Sequence, residues 1–277
     1  MTKSLKRFSA SAARNIILLA ISALILVPVL WMFLSSLRPA NQITIYPPDF
    51  FPKSLTLKNF ERVFKKIPIL TYAKNSLIFA VFTTLPSVFI SAMAGYAFAR
   101  FRFKGKNVLF TITLMTLMIP FQVTMIPLFM EIYAMGLYDT YLGLILPRLA
   151  VVIGIFMMRS FFAGLPVALE EAGRLDGLTE FGIFFRIMLP QCKPAMITLM
   201  VLGVNAAWND LMYPLLLTSD TSMRMLANGL AMFVGQDTIE YGAAFAGAVI
   251  SVVPMLLAYI LGQKYFVEGT ATSGIKG

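Results

Sequence analysis

Glu171-Ala172-Gly173-Arg174-Leu175-Asp176-Gly177, followed after nine residues by Ile187-Met188-Leu189-Pro190, is the stretch whose reading decides the fold. Upstream, Pro166 suits a first helical turn, where its missing N–H costs nothing. Glu170 and Glu171 fall early in that helix, where the positive end of the helix dipole favours carboxylates. Asp176-Gly177 reads as a stop, because glycine readily takes the left-handed conformation that ends helices. Thr179 then caps a second short helix, in which Phe181, Phe184, Phe185 and Met188 recur at helical spacing and which Leu189-Pro190 ends. The result is two short amphipathic helices bent at Gly177. Such a knob suits a groove on a soluble partner; the alternative is a helix lying on lipid.

On either side the chain is apolar. Of 277 residues 58% are hydrophobic and 13% charged, and the mean hydropathy is +0.79. Soluble domains carry roughly 25% charged residues. A spanning helix needs about 20 mostly apolar residues, and six stretches qualify: Asn15–Leu37, Thr71–Ala99, Asn107–Met130, Tyr141–Phe162, Ala195–Leu217 and Ala243–Tyr265. Exposed irregular backbone is not tolerated in lipid, so these lengths read as helices. The first follows Lys3, Lys6, Arg7 and Arg14, and its apolar core runs on to Trp31 and Phe33, which favours a retained helix over a cleaved signal peptide.

Six spans put both termini on one side. That side also holds Arg100, Arg102, Lys104 and Lys106, the bent segment, and Lys193, Lys264 and Lys276, thirteen cations against five acidic residues. The other side balances seven against seven. The positive-inside rule places the termini in the cytoplasm. The organisation expected is therefore a cytoplasmic N-terminus over 1–14, a transmembrane domain over 15–265 and a cytoplasmic tail over 266–277. Within the domain lie an external loop at 38–70 and a cytoplasmic loop at 163–193. The external loop includes Tyr46-Pro47-Pro48-Asp49-Phe50-Phe51-Pro52, which prolines stiffen. It is either a docking surface or a lid over helix ends.

Composition excludes several chemistries. There is no histidine, which removes the commonest general base and metal ligand, and one cysteine, Cys192, which removes a disulfide framework. No Gly-x-x-x-x-Gly-Lys-Ser/Thr loop cradles a phosphate. No metal site and no catalytic residue is expected. The net charge of +10 sits on the side assigned to the cytoplasm and points to membrane lipid, not nucleic acid.

The bent segment resembles the signature of inner-membrane components of binding-protein-dependent ABC importers: Glu-Ala-Ala, three residues ending in Asp, Gly, nine positions, and an Ile-x-Leu-Pro ending. Glu171 to Pro190 keeps that spacing, while Gly173 and Leu178 replace the usual alanines. Ser36-Leu37-Arg38-Pro39, Leu55-Thr56-Leu57-Lys58-Asn59-Phe60, Trp208-Asn209-Asp210 and Tyr265-Phe266-Val267-Glu268-Gly269 resemble the carbohydrate-uptake branch, and the chain is similar to the smaller permease subunit of maltose-type transporters. The resemblance implies an all-α type I importer permease of the bacterial inner membrane with six transmembrane helices, and coupling helices between the fourth and fifth. It implies as partners a second permease subunit, a dimer of ATPase subunits carrying ATP and Mg, an external solute-binding protein, and a sugar-like solute. This chain would bind no cofactor.

The expected mechanism is alternating access driven from below. Glu171, Ala172 and Gly173 would couple to the ATPase, Asp176 and Gly177 would fix the bend, and Pro190 the return to the membrane. For solute contact the candidates are Asn205, Trp208, Asn209 and Asp210, which interrupt the fifth span. Asp210 is the sole carboxylate within the six stretches, and charge inside a membrane is costly and often functional. Asn205, Trp208, Asn209 and Met212 would share one helical face, offering an indole beside amides. The same residues also read as contacts to the second permease, or as a cap near the outer end. Lys74, Arg148 and Arg159 are expected to snorkel from span ends. A self-sufficient secondary transporter would show internal repeats and mid-span ionisable residues, and a membrane enzyme would need a catalytic cluster; neither pattern is evident.

Overall fold

The computed structural model describes the backbone of residues 2–47, 49–235 and 239–274, and side chains over 13–47, 49–235, 239–257 and 259–260. The elements run α1 (Thr2–Ser36), α2 (Ala40–Ile43), α3 (Lys58–Lys66), α4 (Ile69–Arg100), α5 (Lys106–Met115), α6 (Phe121–Ala134), α7 (Tyr141–Ile145), α8 (Val152–Ala163), α9 (Ala168–Leu175), α10 (Glu180–Ile183), α11 (Leu189–Gln191), α12 (Lys193–Trp208), α13 (Met212–Leu217), α14 (Leu226–Ala231) and α15 (Tyr241–Gly274). Among the described residues there is no strand, only an isolated bridge between Val234 and Ile239. The chain divides into two units, residues 1–69 with 230–254 and residues 70–229 with 255–277.

Among the described residues α1 and α4 provide two helices long and apolar enough to cross a membrane. The segment Ala13–Ser36 exposes Ile16, Leu19, Leu24 and Ile25 all round its circumference, as a helix does whose solvent is lipid. Three further stretches are apolar and long enough only when two bent helices are taken together. Lys106–Met118 and Phe121–Ala134 meet at 100°, so the stretch Asn107–Met130 is not one straight helix. The cause is Pro120, which lacks an N–H and sits in extended backbone at φ −67°, ψ 141°. Tyr141–Arg148 and Val152–Ala163 bend by 43°, and Glu180–Gln191 and Lys193–Trp208 by 75°. Among the described residues α15 contributes the apolar run Tyr241–Leu257, and its helix continues through Gly274.

Within the first unit, the loop after α1 is tied down at its base. Arg38 is 1% exposed; its guanidinium donates to the Asp49 carbonyl at 2.6 Å and the Phe50 carbonyl at 3.0 Å and stacks 4.9 Å from the Trp31 ring. Asn59 donates to the carbonyls of Ser36 and Arg38, both at 2.8 Å. Arg38 is therefore not the solvated external charge the sequence suggests. Yet Tyr46, Phe51 and Leu55 stay exposed, so the loop packs at its base and presents an apolar edge. Pro48 lies outside the described residues. On the same unit Glu240 pairs with Lys66 at 2.8 Å and Arg62 at 2.6 Å. The Lys66 hydrogen bond, opposed by desolvation, holds this carboxyl below the usual glutamate range. A depressed carboxylate stabilises fully above its unfolded-state pKa and loses that contribution as pH falls through its folded value. Glu240→Gln is thus expected to remove a small stability difference between neutral pH and pH below the ordinary glutamate range, read as the change in unfolding temperature of the detergent-solubilised chain.

The second unit is built around α4. Gly95 lets α8 approach so closely that a Cβ there would lie 2.6 Å from the Met158 Cβ and 2.7 Å from the Arg159 amide nitrogen. Small residues at helix crossings are how membrane helices gain packing area. Around this contact Val88, Ala92, Tyr96, Met158, Phe162, Ile183, Phe184 and Met188 form a buried core. Gly95→Ala is expected to cost about 1–3 kcal/mol through overpacking against backbone that cannot move aside, measured by thermal unfolding in detergent.

Candidate functional site

The bent segment occupies 163–193 as two helical pieces folded on the end of α4. Its first helix, α9, begins at Ala168, so Pro166 precedes the first turn instead of occupying it, although its carbonyl still accepts from the Leu169 N–H at 3.3 Å. Gly177 adopts φ +76°, the left-handed conformation its position requires. The Gly177 N–H reaches the Arg174 carbonyl at 3.1 Å and the Leu178 N–H the Gly173 carbonyl at 3.0 Å, closing the helix end. Thr179 caps α10 by accepting from the Gly182 N–H at 3.2 Å.

Leu189-Pro190 does not end the second helix. After α10 the backbone widens into a π-helical turn over Phe184–Met188, the Leu189 N–H bonding to the Phe184 carbonyl, and Pro190 sits in the first turn of α11. The proline has no N–H to offer Arg186, and the wide turn before it accommodates that loss. The break comes later, at Cys192, before α12.

Burial divides the segment into two faces. Inward go Glu170 at 3%, Gly173, Ile183 at 0%, Phe184 at 4% and Met188 at 0%. Outward go Glu171, Ala172, Arg174, Asp176, Gly177 and Pro190, with Leu175 at 89% and Phe181 at 69% exposed. Phe181 and Phe184, placed together by spacing alone, thus lie on opposite faces. Gly173 is not exposed: a Cβ there would meet Ile187 Cδ1 at 2.7 Å and Ile183 Cγ1 at 3.0 Å, so the departure from alanine lets α9 close on its neighbour. Arg174 and Glu180 brace the outer face across the bend at 2.8 Å.

An ion pair that spacing does not reveal anchors this segment. Arg100, at the end of α4, donates to the Leu165 carbonyl at 2.5 Å and lies 3.6 Å from the Glu170 carboxylate, with side chains 10% and 5% exposed. The dipole reading accounted for Glu170 only in part. Seventy residues separate the partners, and Arg100 stands in the sequence as merely the first of four cations, Arg100, Arg102, Lys104 and Lys106, after a long apolar run.

The second candidate region lies at the break between α12 and α13. Asn209 ends α12 and Met212 opens α13, so Met212 leaves the helical face expected to include it. Asn205 and Asn209 are exposed and bonded to each other, Nδ2 to Oδ1, at 2.6 Å. Trp208 is 6% exposed. Asp210 accepts from the Tyr213 N–H at 3.1 Å, capping α13, and its other oxygen pairs with Arg148. Arg148 also stands over the rings of Tyr213 at 4.7 Å and Phe79 at 5.8 Å. It does not snorkel. Nor does Arg159, which stacks 3.8 Å from the Phe110 ring and faces the Phe98 carbonyl; Lys74 is exposed. Among the described residues no three of His, Cys, Asp and Glu gather as metal ligands.

Residues 87–269 match the family described as binding-protein-dependent transport system inner membrane component. The chain is 34% identical over 270 residues to the arabinooligosaccharides transport system permease protein AraQ of Bacillus subtilis, covering 96% of this chain and 95% of that one. It is 33% identical over 256 residues to the trehalose transport system permease protein SugB of Mycobacterium tuberculosis, covering 91% and 93%. Its similarity to the diacetylchitobiose uptake system permease protein NgcG of Streptomyces coelicolor is 31% over 273 residues, covering 97% and 89%. In fold it is similar to a chain of a bacterial ABC transporter involved in import of the acidic polysaccharide alginate, with TM-score 0.79 and 24% identity, covering 92% of this chain and 96% of that chain. The bent segment, the glycine-packed apolar helices and these likenesses agree: the chain belongs to the family of inner-membrane components of binding-protein-dependent transport systems, and is a non-catalytic permease subunit of an ATP-driven importer whose ATP is hydrolysed by a separate subunit.

Proposed function

We propose that this chain is one of two permease subunits that pass a sugar or sugar derivative through the inner membrane, as the named substrates of its relatives suggest. Six spans, three of them bent, cross the bilayer, with the 1–14 and 266–277 segments in the cytoplasm and the 38–70 loop outside. The loop at 163–193 carries the coupling helices. The observation that carries this reading is the two-faced hairpin: Glu171, Asp176, Leu175 and Phe181 project around a left-handed Gly177, while Glu170, Ile183, Phe184 and Met188 lock the same hairpin to α4. An exposed knob on a rigid base transmits motion in a way that a flexible loop cannot.

In this reading a paired ATPase closes on ATP, draws the two knobs together, and α4, α8 and α12 follow as one packed body. Ala172 lies on the contact face, Gly173 supports it from within, and Pro190 stands where the chain turns back to the membrane. The external loop receives the solute-binding protein with its exposed Tyr46, Phe51 and Leu55 edge. The exposed amides of Asn205 and Asn209 border the solute path, with Trp208 and Asp210 holding the break that presents them. Purification of the intact complex, identification of the solute held by its binding protein, and ATP-dependent uptake of that solute into proteoliposomes test the reading. Uptake by this chain alone without ATP would overturn it.

A further inference from the structure

Within the second unit the turn between α4 and α5 is strongly positive. Arg102, Lys104 and Lys106 alternate along it, and among the described residues none of the three pairs with a carboxylate. Arg100 differs, because Glu170 lies against it. Lys106 also feels the charge of Arg102 and of Arg159 on α8. Like charges gathered in this way repel one another, and a bound anion relieves the repulsion. The turn joins α4 to the bent apolar pair that α5 opens, so it stands where lipid headgroups meet the protein.

The turn is held in one shape. Lys106 donates from Nζ to the Ala99 carbonyl at 3.1 Å and the Phe101 carbonyl at 2.9 Å, and Gly105 takes φ +80°. Phe101 meets Tyr96 edge-on with ring centres 5.5 Å apart, and Phe103 lies 6.3 Å from Phe98. Both rings nevertheless keep an exposed side, as do the side chains of Arg102 and Lys104. Phe101, Arg102, Phe103, Lys106 and Val108 line an open concavity of about 510 Å³. From its edge α5 presents Val108, Leu109, Ile112 and Met115 on one exposed face. Cations, half-packed aromatic rings and a continuous apolar strip thus follow one another along a single path.

We propose that this turn is a binding site for an anionic phospholipid, whose phosphate sits at Arg102 and Lys106 and whose acyl chains run along the exposed face of α5. The guanidinium supplies paired N–H donors that match phosphate oxygens. Lys104 adds its charge from the same turn. A zwitterionic lipid is disfavoured, because its own ammonium group meets the same cations. The order of the path selects a lipid over a free anion, which has no use for the apolar strip. Arg100, which holds the bent hairpin, lies two residues before Arg102, so the lipid grips the helix end from which that hairpin hangs. The site is independent of which solute is carried.

The test uses the whole complex, purified in detergent and mixed in separate arms with phosphatidylglycerol, with phosphatidylcholine of the same chains, and with inorganic phosphate. Native mass spectrometry reads the lipid retained, and thermal unfolding reads stabilisation. The wild-type complex should retain phosphatidylglycerol in preference to phosphatidylcholine. Arg102→Gln with Lys104→Gln should bind phosphatidylglycerol about 25-fold more weakly, at roughly fivefold for each basic residue near an anionic surface. Lys58→Gln with Lys65→Gln removes the same charge from α3 and should leave retention at the wild-type level. Equal retention of the two lipids by the wild type overturns the site, even where a variant fails to assemble. Equal loss in both double variants overturns it in favour of net charge alone. Stabilisation by inorganic phosphate equal to that by phosphatidylglycerol overturns it in favour of a free anion. Loss of the ATPase from the Arg102/Lys104 variant with lipid retention unchanged overturns it in favour of a protein partner. Retention is read without transport, so each of these results leaves the sugar-import reading standing.

Discussion

Gly177→Val is expected to reduce ATP-driven uptake by at least about tenfold, while the amount of chain in the membrane stays close to wild type. At φ +76° a β-branched residue is strained, and the left-handed conformation costs an ordinary L-residue roughly 1–2 kcal/mol. That is too little to unfold the chain but enough, at about 1.4 kcal/mol per factor of ten, to displace the bend from its native geometry. Space is not at issue, since a Cβ at this position has nothing within 4 Å. The substitution therefore acts on backbone direction alone, redirecting Leu175 and Phe181, which flank the turn. Gly177→Asn is the matched control: asparagine enters the left-handed region more readily than other residues, so it should retain most of the uptake. Parallel assays of uptake, ATP hydrolysis and membrane content check the pair. Wild-type uptake by the valine variant would remove Gly177 from the coupling role.

Arg100→Ala is expected to destabilise the chain more than any surface charge change. It leaves Glu170, 3% exposed, without its counter-charge, and takes a donor from the Leu165 carbonyl. Removing one partner of a buried pair costs about 3–5 kcal/mol. The 3.6 Å separation, longer than a direct hydrogen bond, favours the lower end. Removing both charges should be gentler, because the uncompensated carboxylate disappears: Arg100→Ala with Glu170→Ala should recover part of the loss. Thermal unfolding of the four proteins in detergent closes a double-mutant cycle. Additive losses would mean that the two groups do not interact. Because the pair joins α4 to the hairpin, uptake should fall in the single variant even at temperatures where it remains folded.

These two sites show what could be read along the chain and what could not. The bend at Gly177, the cap at Thr179 and the early acidic turn of α9 follow from preferences acting within a few residues, and the structure places them close to where spacing does. The second helix departs from its expected end because a π-helical turn accommodates Pro190; the proline was visible, but the surrounding packing selects among its possible responses. Phe181 and Phe184 were grouped by periodicity, yet only Phe184 faces the core. A helix only four residues long before the backbone widens does not preserve a face.

Among the apolar stretches, length identified the lipid-facing material, and α1 and α4 are continuous helices there. The sharp turn at Pro120 and the gap between Trp208 and Met212 were hidden, because hydropathy averages over a window and is blind to a break inside it. Charges within those stretches misled in a similar way. Arg148 and Arg159 looked like residues reaching for water, whereas Asp210 and the rings of Tyr213 and Phe110 satisfy them inside the protein.

By itself the sequence determined that this is a helical membrane chain, and that a glycine-centred hairpin interrupts its apolar run. Those properties come from composition and from interactions spanning a few residues, which survive without tertiary context. Only the tertiary structure decided which face of the hairpin is buried, that Arg100 anchors Glu170, and that Arg148 meets Asp210. Each joins residues far apart in the chain, and such pairings depend on how closely helices approach, which glycines such as Gly95, Gly154 and Gly203 permit but linear spacing cannot encode.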